Sequence, residues 1–286
     1  MTASALPGDL STPFGILSPY CGSAVGPADL TGRWNLDPVL IVFLAALICL
    51  YAVMSGGEAA RPPAWRRLGF HAGWLTAVTA LLSPLCALSV SLFSARVGQH
   101  MLLTLVAAPL IALGRPDLVA GRWLAPFRSR PASDSGAAPG PVLAALSFAA
   151  ALWLWHTPRA YAATFESDLA YWAMHLSLFG SALWLWTALL NPRRLPASLA
   201  AVFLTTGQMG LLGAIITFSA QPIYWPHAYT TAAWGLTPLA DQQLGGVIMW
   251  VPAGLLFIIG LAAAFAEAMR RSETPSASEL LPDRAL

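Results

Sequence analysis

The chain has no lysine and few charges of either sign. Its 15 basic residues are all arginines, and together with 13 acidic residues they make up 10% of 286 positions. Soluble domains carry about 25% charged residues, so a single water-facing globule is a poor fit. No basic cluster alternates with aromatics on a polar surface, which leaves no nucleic-acid reading. Cysteine is scarce as well. Cys21, Cys49 and Cys86 form no CxxC; Cys49 and Cys86 lie in apolar blocks, where a thiol behaves as a small hydrophobe, and Cys21 stands alone near the N-terminus. That pattern argues against a disulfide framework. The first 30 residues lack a basic stretch followed by a compact apolar one, so neither a cleavable signal peptide nor a lipoprotein role for Cys21 is expected. No nucleophile–base arrangement, phosphate-cradling glycine loop or HExxH motif occurs. A classical enzyme is therefore not expected.

What the chain has instead is apolar length: 57% hydrophobic residues and a mean hydropathy of +0.64. Spanning a bilayer takes about 20 apolar residues, and seven segments approach that, at 38–54, 68–90, 97–114, 141–157, 169–190, 195–218 and 241–268. Each is bounded by Pro, Gly, Asn, Asp or Arg, as helix ends should be. The expected fold is all-α, a seven-transmembrane-helix bundle over 38–270, with an N-terminal tail (1–37) that is weakly ordered and a polar tail (271–286). The connection from Arg115 to Gly140 reads as a linker.

Arginine placement orients the bundle. Arg61, Arg66, Arg67, Arg115, Arg122, Arg128, Arg130, Arg193, Arg194, Arg270, Arg271 and Arg284 fall in one alternating set of connections; only Arg33, Arg96 and Arg159 fall in the other. A split of twelve against three places the first set in the cytoplasm. The N-terminus is then outside, the C-terminus is cytoplasmic, and the chain is expected to be multi-pass in a bacterial inner membrane. Trp65, Trp184 and Trp186 fall near the inner interface and Trp153, Trp155, Trp172, Trp225 and Trp234 near the outer one, as an aromatic belt.

With orientation set, four of the five histidines gather at the outer side: His100 about one turn into the third segment, His156 at the end of the fourth, His175 about 9 Å into the fifth, and His227 in the aromatic 219–240 loop. Only His71 falls at the inner end. Intramembrane ionisable groups are costly and face the bundle interior or a cavity. Imidazole with thioether in an apolar site suits copper, above all Cu(I), which brings in Met101 beside His100 and Met249 on the seventh segment. Asp241 caps its helix, supports a ligand histidine from behind together with Gln242 and His227, or takes up protons.

The stretches QHMLLTLVAAPLIALGRP (99–116), WHTPRAYAATFESDLAYWAMHLSLFGSALWLW (155–186) and DQQLGGVIMW (241–250), with SPL at 83–85, resemble the multi-span cytochrome c oxidase assembly factor family, CtaG of the Bacillus type, as distinct from the single-span copper-delivery protein sharing that name. The resemblance implies a seven-helix inner-membrane protein that matures a haem-copper oxidase, with copper delivery as the usual suggestion. His100, His156, His175, Asp241 and Gln242 match the family's recurring polar positions. One departure stands out: Arg96 occupies the place of a histidine common in relatives, and arginine offers no lone pair to a metal. The expected function is thus assembly of a haem-copper oxidase with copper bound or passed at the outer face. His100, His156, His175, Met101 and Met249 are the candidate ligands, and an oxidase subunit or copper donor protein is the partner within the lipid bilayer. A b-type haem carrier and a metal-free scaffold are the alternatives.

Overall fold

The computed structural model describes residues 19–56, 61–124, 140–190 and 195–273, and among them there is helix and no strand. Each of the seven apolar segments is helical over most of its length, the second across a break at Ser83–Pro84. In order these are α1 (Pro38–Gly56), α2 (Ala64–Leu82) with its bent continuation α3 (Leu85–Ser91), α4 (Phe93–Leu113), α5 (Pro116–Leu124), α6 (Pro141–Trp155), α7 (Pro158–Glu166), α8 (Asp168–Leu189), α9 (Leu195–Thr217) and α10 (Pro238–Glu273). Among the described residues three helices are long and apolar enough to cross a membrane, Pro38–Gly56, Phe93–Leu113 and Pro196–Thr217, and the bent pair α2–α3 makes a fourth candidate.

Local chemistry explains the helix starts. Proline, whose missing N–H costs nothing in a first turn, opens α1, α6, α7 and α10. Asp37 accepts from the Val39 N–H at 2.8 Å, Ser167 from Ala170 and Thr237 from Ala240, each satisfying a donor that the first turn leaves open. Ser83–Pro84 breaks the second segment by 50°, since Pro84 cannot donate to the ladder.

The central element is α4. Two-thirds of its apolar window (67%) is inside the bundle, against 22% for α1 and 33% for α9. One of its sides packs into a core with Tyr51, Phe70 and Trp74 of α1 and α2; the other joins Phe148, Met174, Leu178, Met209 and Met249 of α6, α8, α9 and α10. It relaxes into a π-helical stretch over Leu102–Ala107. Gly73 lets α2 lie against α4 backbone: a Cβ there would stand 2.8 Å from the Ala107 carbonyl oxygen and from the Ile111 nitrogen.

Several expectations need correction. Cys21 and Cys86 form a disulfide, with Cα atoms 5.4 Å apart across 65 residues of sequence. Cys86 is buried just past the Ser83–Pro84 break, and the N-terminal segment reaches it there. Residues 19–37 are accordingly packed, not weakly ordered. Tyr20 stacks on Tyr171 at 4.8 Å and donates to Asp37, Val25 is buried, and Ser91 bonds both the Val25 N–H and its carbonyl. The connection after Arg115 is not all linker, because α5 packs on α1 with Val119 buried. The short helix α7 was likewise not expected. Residues 1–18 of the N-terminal tail, 125–139 of the linker and 274–286 of the C-terminal tail lie outside the described residues, as do Arg128, Arg130, Arg193, Arg194 and Arg284 of the arginine pattern.

Candidate functional site

The starts of α4, α8 and α10 lie together at one end of the bundle. Helix α4 has no side-chain cap of its own. The Asp241 carboxylate, fully buried in the first turn of α10, accepts from the Phe93 N–H at 2.6 Å, the Ser94 N–H at 3.1 Å and the Ser94 hydroxyl. An anion held on two first-turn N–H groups does across two helices what an N-cap does within one. It also starts α4 at Phe93, about a turn earlier than the apolar pattern suggests, so His100 lies deeper than expected.

His100 is then seven residues below the start of α4, and His175 is seven residues below the start of α8 at Asp168. At 1.5 Å per residue each imidazole lies about 10 Å down its helix. The helices pack side by side, and the two rings meet edge to face with centroids 5.1 Å apart. His175 Nδ1 is 3.0 Å from the Tyr171 carbonyl. A carbonyl only accepts, so Nδ1 carries the proton and Nε2 keeps the lone pair. Both His100 Nε2 and His175 Nε2 are buried with no hydrogen-bond partner. Native interiors leave few such atoms, and each calls for an explanation.

The other predicted residues are placed as follows. His156 ends α6 and gives its Nδ1–H to the Leu152 carbonyl at 2.7 Å; with His100 it borders a small closed cavity that has room for about one water molecule. Met101 faces away from the histidine pair, into an apolar groove with Leu88, Leu105 and Ile248, because adjacent helical residues point about 100° apart. Met249 is buried in the larger core. The thioether at the cavity is Met174. Gln242 serves the 219–240 loop, accepting from Ile223 N–H at 2.5 Å and donating to the Ile216 and Gln221 carbonyls. His227 meets the Tyr161 hydroxyl at 2.6 Å, and burial pushes its pKa down to about 3. None of Asp241, Gln242 or His227 has a hydrogen bond to a candidate ligand histidine among these contacts. His71 is exposed on α2. Among the described residues, no group of three or more His, Cys, Asp or Glu side chains is placed to hold a metal.

The loop from Ser219 to Ala240 and the segment from Pro19 to Asp37 close this end. Tyr224 stacks on Phe93 at 4.4 Å and donates to the His156 carbonyl at 3.0 Å. Thr230 donates to the Ser91 carbonyl, and the Trp234 indole to the Val25 carbonyl.

Under that cover sits Arg96, one helical turn above His100 on the same face of α4 and 2% exposed. Its Nη2 donates to Thr164 Oγ1 at 2.7 Å and to Met174 Sδ at 3.9 Å. Its guanidinium carbon lies 4.3 Å from the Phe165 ring centroid, 5.1 Å from Tyr161 and 5.8 Å from Tyr171. This aromatic box comes from α7 and α8. Its members look like ordinary membrane aromatics in sequence, and only the i, i+4 pairing of Tyr161 with Phe165 hinted at a shared face.

Residues 41–271 match the family model of the cytochrome c oxidase caa3 assembly factor, Caa3_CtaG. The chain belongs to that family. No curated protein and no solved structure matches the chain. The matched span of this assembly factor runs from the first turn of α1 to the last turns of α10, so it contains Arg96, all five histidines and Asp241, while Cys21 and the rest of the packed N-terminal segment precede it. Membership makes the chain an oxidase assembly factor, and the apolar helices fit a membrane protein.

Proposed function

We propose that this assembly factor carries copper as cargo on His100 and His175 for insertion into a haem-copper oxidase, in a non-catalytic role and in contact with an oxidase subunit or a copper donor. The observation that carries the reading is the pair of buried, unpartnered Nε2 atoms on touching imidazoles. The Tyr171 carbonyl fixes His175 in the tautomer a metal needs, the usual backing of a ligand histidine. Neutral nitrogen donors in apolar surroundings, with the Met174 thioether bordering the same cavity as His100, suit Cu(I). His156 is the third imidazole at this end and borders the same cavity as His100. The contact between the rings leaves no slot for a porphyrin, which counts against the haem-carrier alternative.

The proposed setting is a seven-span fold in a bacterial inner membrane, with the histidine end outside. Arginine asymmetry supports it. So does the Cys21–Cys86 disulfide at that end, since such bonds persist in oxidising compartments. The test is complementation of cells lacking the factor. His100→Ala with His175→Ala should give an oxidase short of copper, partly restored by added copper; a copper-replete oxidase from that variant would refute cargo binding at this pair.

A further inference from the structure

We propose that the cavity beside Arg96 binds a small monovalent anion of about chloride's size. Arg96 is a permanent cation taken out of water. Among the described residues the ion pair is Arg115 with Asp117, between the end of α4 and α5. The buried carboxylate at the Arg96 end, Asp241, is committed to Phe93 and Ser94. What Arg96 has is the Thr164 and Tyr161 hydroxyls, one thioether and three ring faces. Three ring faces attract the charge, but a ring face gives an in-plane N–H no acceptor, and a buried ion is costly unless its donors are paired. Arg96 Nε is buried with no hydrogen-bond partner. The guanidinium therefore has an open donor, its charge is paired with no carboxylate among the described residues, and Arg96 lines the small cavity.

The cavity fixes the class of ligand. It has room for about one water molecule, which admits a halide and excludes sulfate, phosphate or an organic acid. Besides Arg96 and the two histidines its walls are aromatic and apolar, Trp155 and Met174 among them, and no carboxylate lines it. A water molecule would fill the donor but leave the charge, whereas an anion answers both. The proposal stands on Arg96 and does not require copper, although an anion there would also offset the positive charge beside a metal on His100.

The experiment uses metal-free, full-length protein in detergent. Its melting temperature is followed as sodium chloride or bromide replaces sodium gluconate at constant ionic strength. Wild type should show a saturable stabilisation by both halides and none by sulfate. Arg96→Gln should lose the response, and Arg96→Lys, which keeps the charge without the fork, should need about tenfold more halide or beyond. Identical wild-type melts in chloride and gluconate would overturn the proposal, and so would a halide response that survives Arg96→Gln. Should Arg96→Gln not fold, crystals of wild type soaked in bromide decide the matter. An anomalous peak within hydrogen-bonding distance of Arg96 supports the site, and no peak there overturns it.

Discussion

His100 and His175 stand on neighbouring helices at the same depth, each seven residues from its helix start, with rings 5.1 Å apart. The match depends on where α4 begins, and Asp241 sets that beginning. Asp241→Ala strips the carboxylate from two buried N–H groups and a hydroxyl, so we expect a loss of about 2–4 kcal/mol. Hydrogen exchange should show early amides of α4, from Phe93 to Val97, losing protection before the rest of the helix. Asp241→Asn, which keeps one acceptor, should fall between the two.

The disulfide predicts a thiol count. Denatured, unreduced protein should take up one alkylating group, on Cys49, and reduced protein three. Cys86→Ser should cost up to about 4 kcal/mol by loop-closure entropy and expose residues 19–37 to protease while the helices remain intact.

His227 makes the 219–240 cover sensitive to acid. Burial holds its pKa near 3 in the folded protein, against about 6.5 for an exposed histidine. The undocked loop therefore binds a proton that the docked loop refuses. Its contribution to docking is fully present above pH 6.5 and is lost as pH falls toward 3. Proteolysis of the 219–240 loop should accelerate across that window, and His227→Phe should flatten the dependence.

How much of this was readable from sequence follows the range of each signal. Helix positions were, because proline starts and apolar length are local. The gathering of His100, His156, His175 and Asp241 at one end was too, because it follows from alternation along the chain. Depth was not: it turns on Asp241 reaching Phe93, 148 residues away. The pairing of Cys21 with Cys86 was hidden because it joins positions 65 residues apart, while Cys86 is buried as its apolar neighbours suggest. Met174 replaces Met101 at the cavity because one residue of offset turns a side chain by about 100°.

Arg96 lies one turn from His100 on the same face of α4. Arg96→His adds an imidazole to a cavity already bordered by His100 and His156 and removes a fixed positive charge. Copper affinity should rise about tenfold or more, and any halide response of the protein should disappear. An unchanged copper affinity would mean that the Arg96 position does not communicate with the histidine pair.

The most direct test of the central claim is the copper content of purified protein after anaerobic loading with Cu(I) and removal of excess metal, wild type beside His100→Ala and His175→Ala. Copper held by the pair predicts about one equivalent per wild-type chain, with nitrogen scatterers in the X-ray absorption spectrum, and near-complete loss in either variant. Equal copper in all three proteins would contradict the account.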